Sequence, residues 1–164
     1  SNLWLVRLKG KFGYGFGYGD SERLPFYENY YAGGVYSVRG FDSSSLGPLN
    51  SYPSTSTQTA SALGGNISIT GTAEFIFPMP MIEDHKSVRT AFFIDAGNVF
   101  TDNCYTGNDA CEEGVDLTEI RFSAGFSWTW VTPIAPLSFN LATPLNSKPG
   151  DDTDAFQFQL GTTF

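Results

Sequence analysis

Apolar and polar side chains alternate along most of this chain, and that period of two constrains its fold more than any other feature. Successive side chains on a strand point to opposite faces, so the alternation predicts a sheet with one apolar and one polar face. Residues 4–18 put Trp4, Val6, Leu8, Phe12, Tyr14, Phe16 and Tyr18 on one face, and Arg7, Lys9, Lys11, Gly13, Gly15 and Gly17 on the other. Residues 66–77 set Ile67, Ile69, Ala73, Phe75 and Phe77 against Asn66, Ser68, Thr70, Thr72 and Glu74. The pattern returns over 88–99, 119–131, 136–144 and 155–164. The predicted fold class is therefore all-β, an antiparallel up-and-down meander of about six strands.

The connections alternate as well. Residues 78–87 and 132–135 are compact and marked by proline, whereas 19–65, 100–118 and 145–154 are long. Short turns on one side and long loops on the other fit an outer-membrane β-barrel, with the C-terminus on the short-turn side. A secreted β-sandwich also alternates. Its polar faces usually carry Lys and Glu, but here they are mostly Ser, Thr, Gly and Gln. Aromatic residues also gather near strand ends (Trp4, Tyr14 to Tyr18, Trp128, Trp130, Phe164), as interfacial girdles do. The barrel is the better reading.

Charge and hydropathy narrow the function. A net charge of −8 argues against nucleic acid as a partner. No apolar run approaches the ~20 residues of a transmembrane helix, a test that strand-built barrels escape. Ser1 to Leu8 lacks the pattern of a signal peptide, and the chain opens inside a strand pattern, as expected of a mature fragment of something longer. Cys104 and Cys111 bracket a short polar loop, and the one histidine, His85, is far off in sequence. An intraloop disulfide is expected in preference to two free thiols or a zinc site, implying an oxidising compartment. No metal or cofactor is expected.

Enzyme readings find little support. Glu74 and Asp95 are a carboxylate pair of the kind glycosidases use, but the large rings lie mostly on the opposite face. His85 sits in a turn beside Glu83 and Asp84, with no sign of a nucleophile elbow. Gly13, Gly15 and Gly17 lie within a strand and open no helix, unlike a dinucleotide-binding turn. The acidic loop residues (Asp102, Asp109, Glu112, Glu113, Asp116; Asp151, Asp152, Asp154) fit no calcium-loop spacing and read as solvated faces.

The most informative charge is Arg39. It sits in Tyr30-Tyr31-Ala32-Gly33-Gly34-Val35-Tyr36-Ser37-Val38-Arg39-Gly40-Phe41, which does not look like solvated linker. Residues 42–66, rich in Ser and Thr, read as a flexible exposed tip. From the residues alone, Arg39 is either an exposed loop arginine or a cation carried inward to Glu74, Asp95 or Glu119. The bare Gly13, Gly15 and Gly17 face leaves room for a loop to lie against it.

Val38-Arg39-Gly40-Phe41, Leu46-Gly47-Pro48, Gly71-Thr72-Ala73-Glu74-Phe75 and Phe93-Ile94-Asp95-Ala96-Gly97-Asn98-Val99-Phe100 resemble the BamA family of outer-membrane protein assembly factors. Ser123-Ala124-Gly125 and Gly161-Thr162-Thr163-Phe164 look like the end of the same family, so the resemblance covers residues 1–164. It implies the C-terminal portion of a sixteen-stranded outer-membrane barrel, with 19–65 as a long loop folding back into the lumen. It makes Val38, Arg39, Gly40 and Phe41 the loop-docking motif and Glu74, Asp95 and Gly97 its lumenal partners. The alternating tail of Phe156, Phe158, Leu160, Gly161 and Phe164 matches the C-terminal sorting signal of such barrels, departing from it at Thr162.

The implied location is the outer membrane of a Gram-negative bacterium. The implied partners are the lipid bilayer, nascent outer-membrane β-barrel proteins and, through parts not present here, assembly-complex lipoproteins. The family's periplasmic repeats and earlier strands, including the first strand of its lateral gate, are missing. The fragment alone is expected to be inactive and to self-associate through open sheet edges. The alternative is a segment of a related export channel or translocation factor, of the TamA or two-partner secretion kind.

Overall fold

The computed structural model describes residues 4–19, 23–50, 60–79, 87–104, 107–108 and 111–161. Six strands form one sheet: β1 (Leu5–Tyr14), β2 (Ile67–Phe77), β3 (Val88–Phe100), β4 (Arg121–Val131), β5 (Pro136–Pro144) and β6 (Phe156–Leu160). Their order in the sheet follows the chain, and each neighbouring pair is antiparallel. The meander read from the alternation is the observed topology.

One face of the sheet is apolar and bare. Leu8 is 77% exposed, Phe12 73% and Phe92 56%, far more than a water-soluble sheet face tolerates. Rings crowd together near the short-turn end: Trp4 with Phe75 at 5.3 Å, Phe77 with Phe92 at 5.2 Å, and Trp128 with Phe139 at 5.3 Å. Tyr14 and Phe16 meet at the opposite end, 6.2 Å apart.

The buried core lies on the other face, between the sheet and the segment that connects β1 to β2. Ala32, Val38, Phe41 and Leu46 from that segment pack with Val99 of β3. Register lines up two rows beneath them. Arg7, Glu74, Phe93, Gly125 and Ala142 run across β1 to β5, and Lys9, Thr72, Asp95, Ser123 and Pro144 form the next row.

Several expected boundaries shift. The stretch 4–18 pairs only as far as Tyr14, with Gly15 held by the Asn66 carbonyl at 2.8 Å. Past that point its neighbour turns inward, where Gly65 and Tyr30 exchange backbone hydrogen bonds of 2.8 and 3.1 Å. The stretch 119–131 begins as β4 only at Arg121, because Leu117–Glu119 forms a single 3-10 turn. Asp116 caps that turn by accepting from the Thr118 amide at 2.8 Å. The expected strand 155–164 narrows to Phe156–Leu160, and Thr162 to Phe164 lie outside the described residues.

The exposed tip expected over 42–66 is also partly wrong. Leu46 is buried, and Gly47 rests against Val99, so this part of the segment is core. Residues 51–59 lie outside the described residues.

Candidate functional site

The connecting segment reaches the sheet through a tight turn. Gly34 donates its amide to the carbonyls of both Val38 and Phe41, at 3.1 and 3.0 Å. Ser37 closes the same turn, its hydroxyl accepting from the Gly33 amide at 2.8 Å and donating to the Gly33 carbonyl at 3.0 Å. This turn pushes Val38, Arg39, Gly40 and Phe41 onto the polar face, where all four are buried.

Arg39 grips β2 and β3. Its Nε and Nη2 donate to the two carboxylate oxygens of Asp95 at 2.7 and 2.8 Å, the parallel two-bond geometry a guanidinium makes best. Its own backbone amide gives Asp95 Oδ2 a third bond at 3.0 Å. Nη2 also lies 3.1 Å from Glu74 Oε1, while Glu74 Oε2 meets Arg7 at 2.7 Å. The guanidinium sits 3.5 Å above the ring of Phe93. That ring is the one large aromatic turned inward on β3, and its neighbour in register is Gly125. A Cβ at Gly125 would stand 2.6 Å from Phe93 Cζ.

Glycine makes the approach possible at two further places. Gly97 faces Val38, and a Cβ there would meet Ile69 O at 2.8 Å and Val38 Cγ2 at 3.0 Å. Gly40 has a φ of +88°, which disfavours an L side chain, and a Cβ there would stand 3.1 Å from Ala142 Cβ. Ser123 Oγ, in the same packing, is the only buried side-chain polar atom without a hydrogen-bond partner among the described residues. The bare face of β1 is used as well. The Tyr30 ring lies over Gly13 and Leu24 over Gly15, each within 2.8 Å of where a Cβ would be.

Residues 40–42 hold the far side of the sheet. Gln157 of β6 donates through Nε2 to the Phe41 carbonyl at 2.8 Å and accepts from the Gly40 amide at 3.4 Å. The Asp154 amide donates to the Gly40 carbonyl at 3.1 Å, and the Asp42 amide to the Asp152 carbonyl at 3.0 Å. Sequence reasoning placed Gln157 on the polar face and gave it no role. Its partners lie 116 and 117 positions away, and nothing local signals them.

A second ionic cluster lies at the long-loop end. Arg121 donates through Nε to Asp151 at 2.7 Å and through Nη1 to Glu119 Oε2 at 3.0 Å. Lys148 closes the cluster on the other oxygen of Glu119. Hydrogen bonding from Lys148, then from Arg121, holds the Glu119 carboxyl below its ordinary pKa despite partial desolvation. Two expectations are corrected here. Glu119 is no partner of Arg39, because the 3-10 turn carries it off the strand face. Asp151 is no solvated repulsive charge but the bidentate partner of Arg121.

The remaining candidates are distributed. Asp102 binds the Tyr14 hydroxyl at 3.0 Å and Asn66 Nδ2 at 2.8 Å. Cys104 and Cys111 form a disulfide, with Cα atoms 5.9 Å apart. Phe156, Phe158 and Leu160 point outward on β6, and Gly161 ends the strand by donating to the Pro136 carbonyl at 2.9 Å. His85, Glu83, Asp84, Asp109 and Phe164 lie outside the described residues. Among the described residues no group of three His, Cys, Asp or Glu side chains is placed to hold a metal ion.

The whole chain, residues 1–164, matches the model of the Omp85 superfamily domain. It is 38% identical to the outer membrane protein assembly factor BamA of Neisseria meningitidis serogroup B, covering all of this chain and 22% of that protein. It is 31% identical to BamA of Neorickettsia risticii, over 98% of this chain and 19% of that one. The chain thus spans about a fifth of the length of these curated relatives. The crystal structure of BamA from Haemophilus ducreyi lacking POTRA domains 1–3 superposes with a TM-score of 0.78 at 34% identity. That match covers 94% of this chain and 30% of the other.

Proposed function

The chain belongs to the Omp85 superfamily, and from that premise we propose that it is the C-terminal barrel segment of an outer-membrane protein assembly factor. The observation that carries this reading is the 38% identity to a named assembly factor across the full chain. The apolar outer face of the sheet suits contact with lipid, and the similarity to outer membrane assembly factors supports the outer membrane of a Gram-negative bacterium as its location. There the complete protein folds and inserts other β-barrels without covalent chemistry. Nascent barrel proteins are its substrates. Assembly lipoproteins engage the portion of the relatives' length that this chain does not span.

Within that reading, Val38, Arg39, Gly40 and Phe41 dock the 19–65 loop inside the barrel, on Glu74, Asp95 and Gly97. The Arg39 contacts with Asp95 and Glu74 support this role. The outward Phe156, Phe158 and Leu160, with Gly161 and Phe164, serve as the signal by which the barrel itself is recognised and assembled.

The test is complementation. The complete gene is expressed in a Gram-negative host depleted of its own assembly factor, and porin insertion is followed by heat-modifiable mobility. Restored porin folding is the expected result. A protein that enters the outer membrane as a folded barrel and yet leaves porin unfolded would overturn the reading.

A further inference from the structure

The motif is a tie across the sheet, and its two grips lie on opposite sides. Arg39 holds β2 and β3 through Glu74 and Asp95. The next three residues hold the other end: Gly40, Phe41 and Asp42 make four hydrogen bonds to residues 152–157. Gly40 rests between them on Ala142 of β5 and Ser123 of β4. A few consecutive residues thus span the sheet from its second strand to its sixth.

We propose that Gln157 is a positioning residue that couples docking of the Arg39 loop to the placement of the last strand. Three observations carry this. First, Gln157 is buried, and among the described residues its amide bonds to the backbone of Gly40 and Phe41 and to no side chain of a neighbouring strand. Second, among the described strands β6 pairs with β5 alone, so a brace on its inner face adds to what fixes it. Third, the 145–154 connection that delivers β6 is pinned at its middle by the Arg121–Asp151 pair, and Phe41 forms a bridge with Thr153.

The carboxamide suits this task. It donates to Phe41 and accepts from Gly40 at once, which neither a carboxylate nor an apolar side chain of the same size can do. Releasing Arg39 therefore loosens β6, and releasing Gln157 loosens the motif. Thermodynamic linkage requires the two effects to match. The inference rests on the loop-docking reading given above, but its readout does not depend on assembly activity.

The experiment is hydrogen exchange on the complete protein in detergent, comparing wild type with Arg39→Ala, Arg39→Lys, Gln157→Leu and Gln157→Asn. Folded barrel is verified first by heat-modifiable mobility, and the Lys and Asn variants serve if the harsher ones do not fold. Both Arg39 variants are expected to speed exchange in residues 34–42 and, through the shared hydrogen bonds, in residues 152–160 by roughly two- to tenfold, the size that losing one or two net hydrogen bonds gives. Both Gln157 variants are expected to speed exchange in 34–42 while the β2–β3 ladder stays protected. If the Arg39 variants loosen 34–42 and leave 152–160 at wild-type rates, the two grips are independent and the proposal falls. A failed complementation with coupled exchange would count against the assembly function and leave the coupling standing.

Discussion

Asp95 receives three hydrogen bonds from Arg39 alone, two from the guanidinium and one from the backbone amide, and its side chain is fully buried. Glu74 differs: it divides its two oxygens between Arg39 and the half-exposed Arg7. Arg39→Ala therefore leaves the Asp95 carboxylate with a backbone amide but no counter-charge, whereas Glu74 keeps Arg7. Removing one member of such a buried pair typically costs ~3–5 kcal/mol. In the complete protein, Arg39→Ala and Asp95→Asn are expected to expose the 19–65 loop to protease, and Glu74→Gln less so. Arg39→Lys is expected to recover part of the protection, since an ammonium cannot form the two-bond fork. Equal protease sensitivity for the Glu74 and Asp95 variants would refute this ranking.

Gly40 and Ser123 face each other and should respond oppositely. Gly40→Ala puts a Cβ on a left-handed backbone, costing ~1–2 kcal/mol before any contact with Ala142 is counted. Ser123→Ala removes a buried hydroxyl that has no partner and is expected to be neutral or stabilising. Denaturant titration of the refolded barrel, followed by tryptophan fluorescence, separates the two outcomes.

Acid should release the outer ionic cluster. Because the Glu119 pKa is lowered in the fold, its contribution is fully present above the ordinary glutamate value. It is lost as pH falls through the depressed one. Exchange in residues 145–154 is thus expected to accelerate below the ordinary carboxylate range, and Glu119→Gln to remove that acceleration. An unchanged pH profile in Glu119→Gln would exclude Glu119 as its source.

The disulfide acts locally. It closes a ring over a sequence separation of 7, for which constraint of the unfolded chain is worth about 2–3 kcal/mol. Reduction, or Cys104→Ser with Cys111→Ser, is expected to make residues 100–118 protease-sensitive while leaving the Arg39 loop protected. Mass spectrometry of non-reduced peptides checks the bridge itself.

The segment in isolation should not behave as a soluble protein. In the described sheet β1 and β6 are edges, and the outer face is bare apolar surface. Aggregation without detergent is expected. A monodisperse monomer in plain buffer, by light scattering, would contradict the membrane reading.

The sheet was legible because a strand's period is two and a polar lumen repeats it. The same parity put Glu74 and Asp95 on one face, but from the residues alone Arg39 was equally an exposed loop arginine, and only the family resemblance singled out these two as its partners. Pairs fixed by loops left no such trace. Arg121 and Asp151 stand 30 positions apart, and Gln157 works on backbone groups more than a hundred positions earlier. Phe93 offered a usable clue: a large ring out of phase on a polar face, with a glycine opposite it in the next strand.

That clue carries a consequence for variation. The ring of Phe93 occupies the space over Gly125 that a side chain there would fill, and it supports the Arg39 guanidinium from below. A side chain at 125 would meet that ring at 2.6 Å and, closer still, the Leu141 carbonyl oxygen of the next strand. Trimming Phe93 therefore clears only one of the two obstacles, and it takes away the floor beneath the arginine. Position 125 is expected to stay glycine whatever stands at 93.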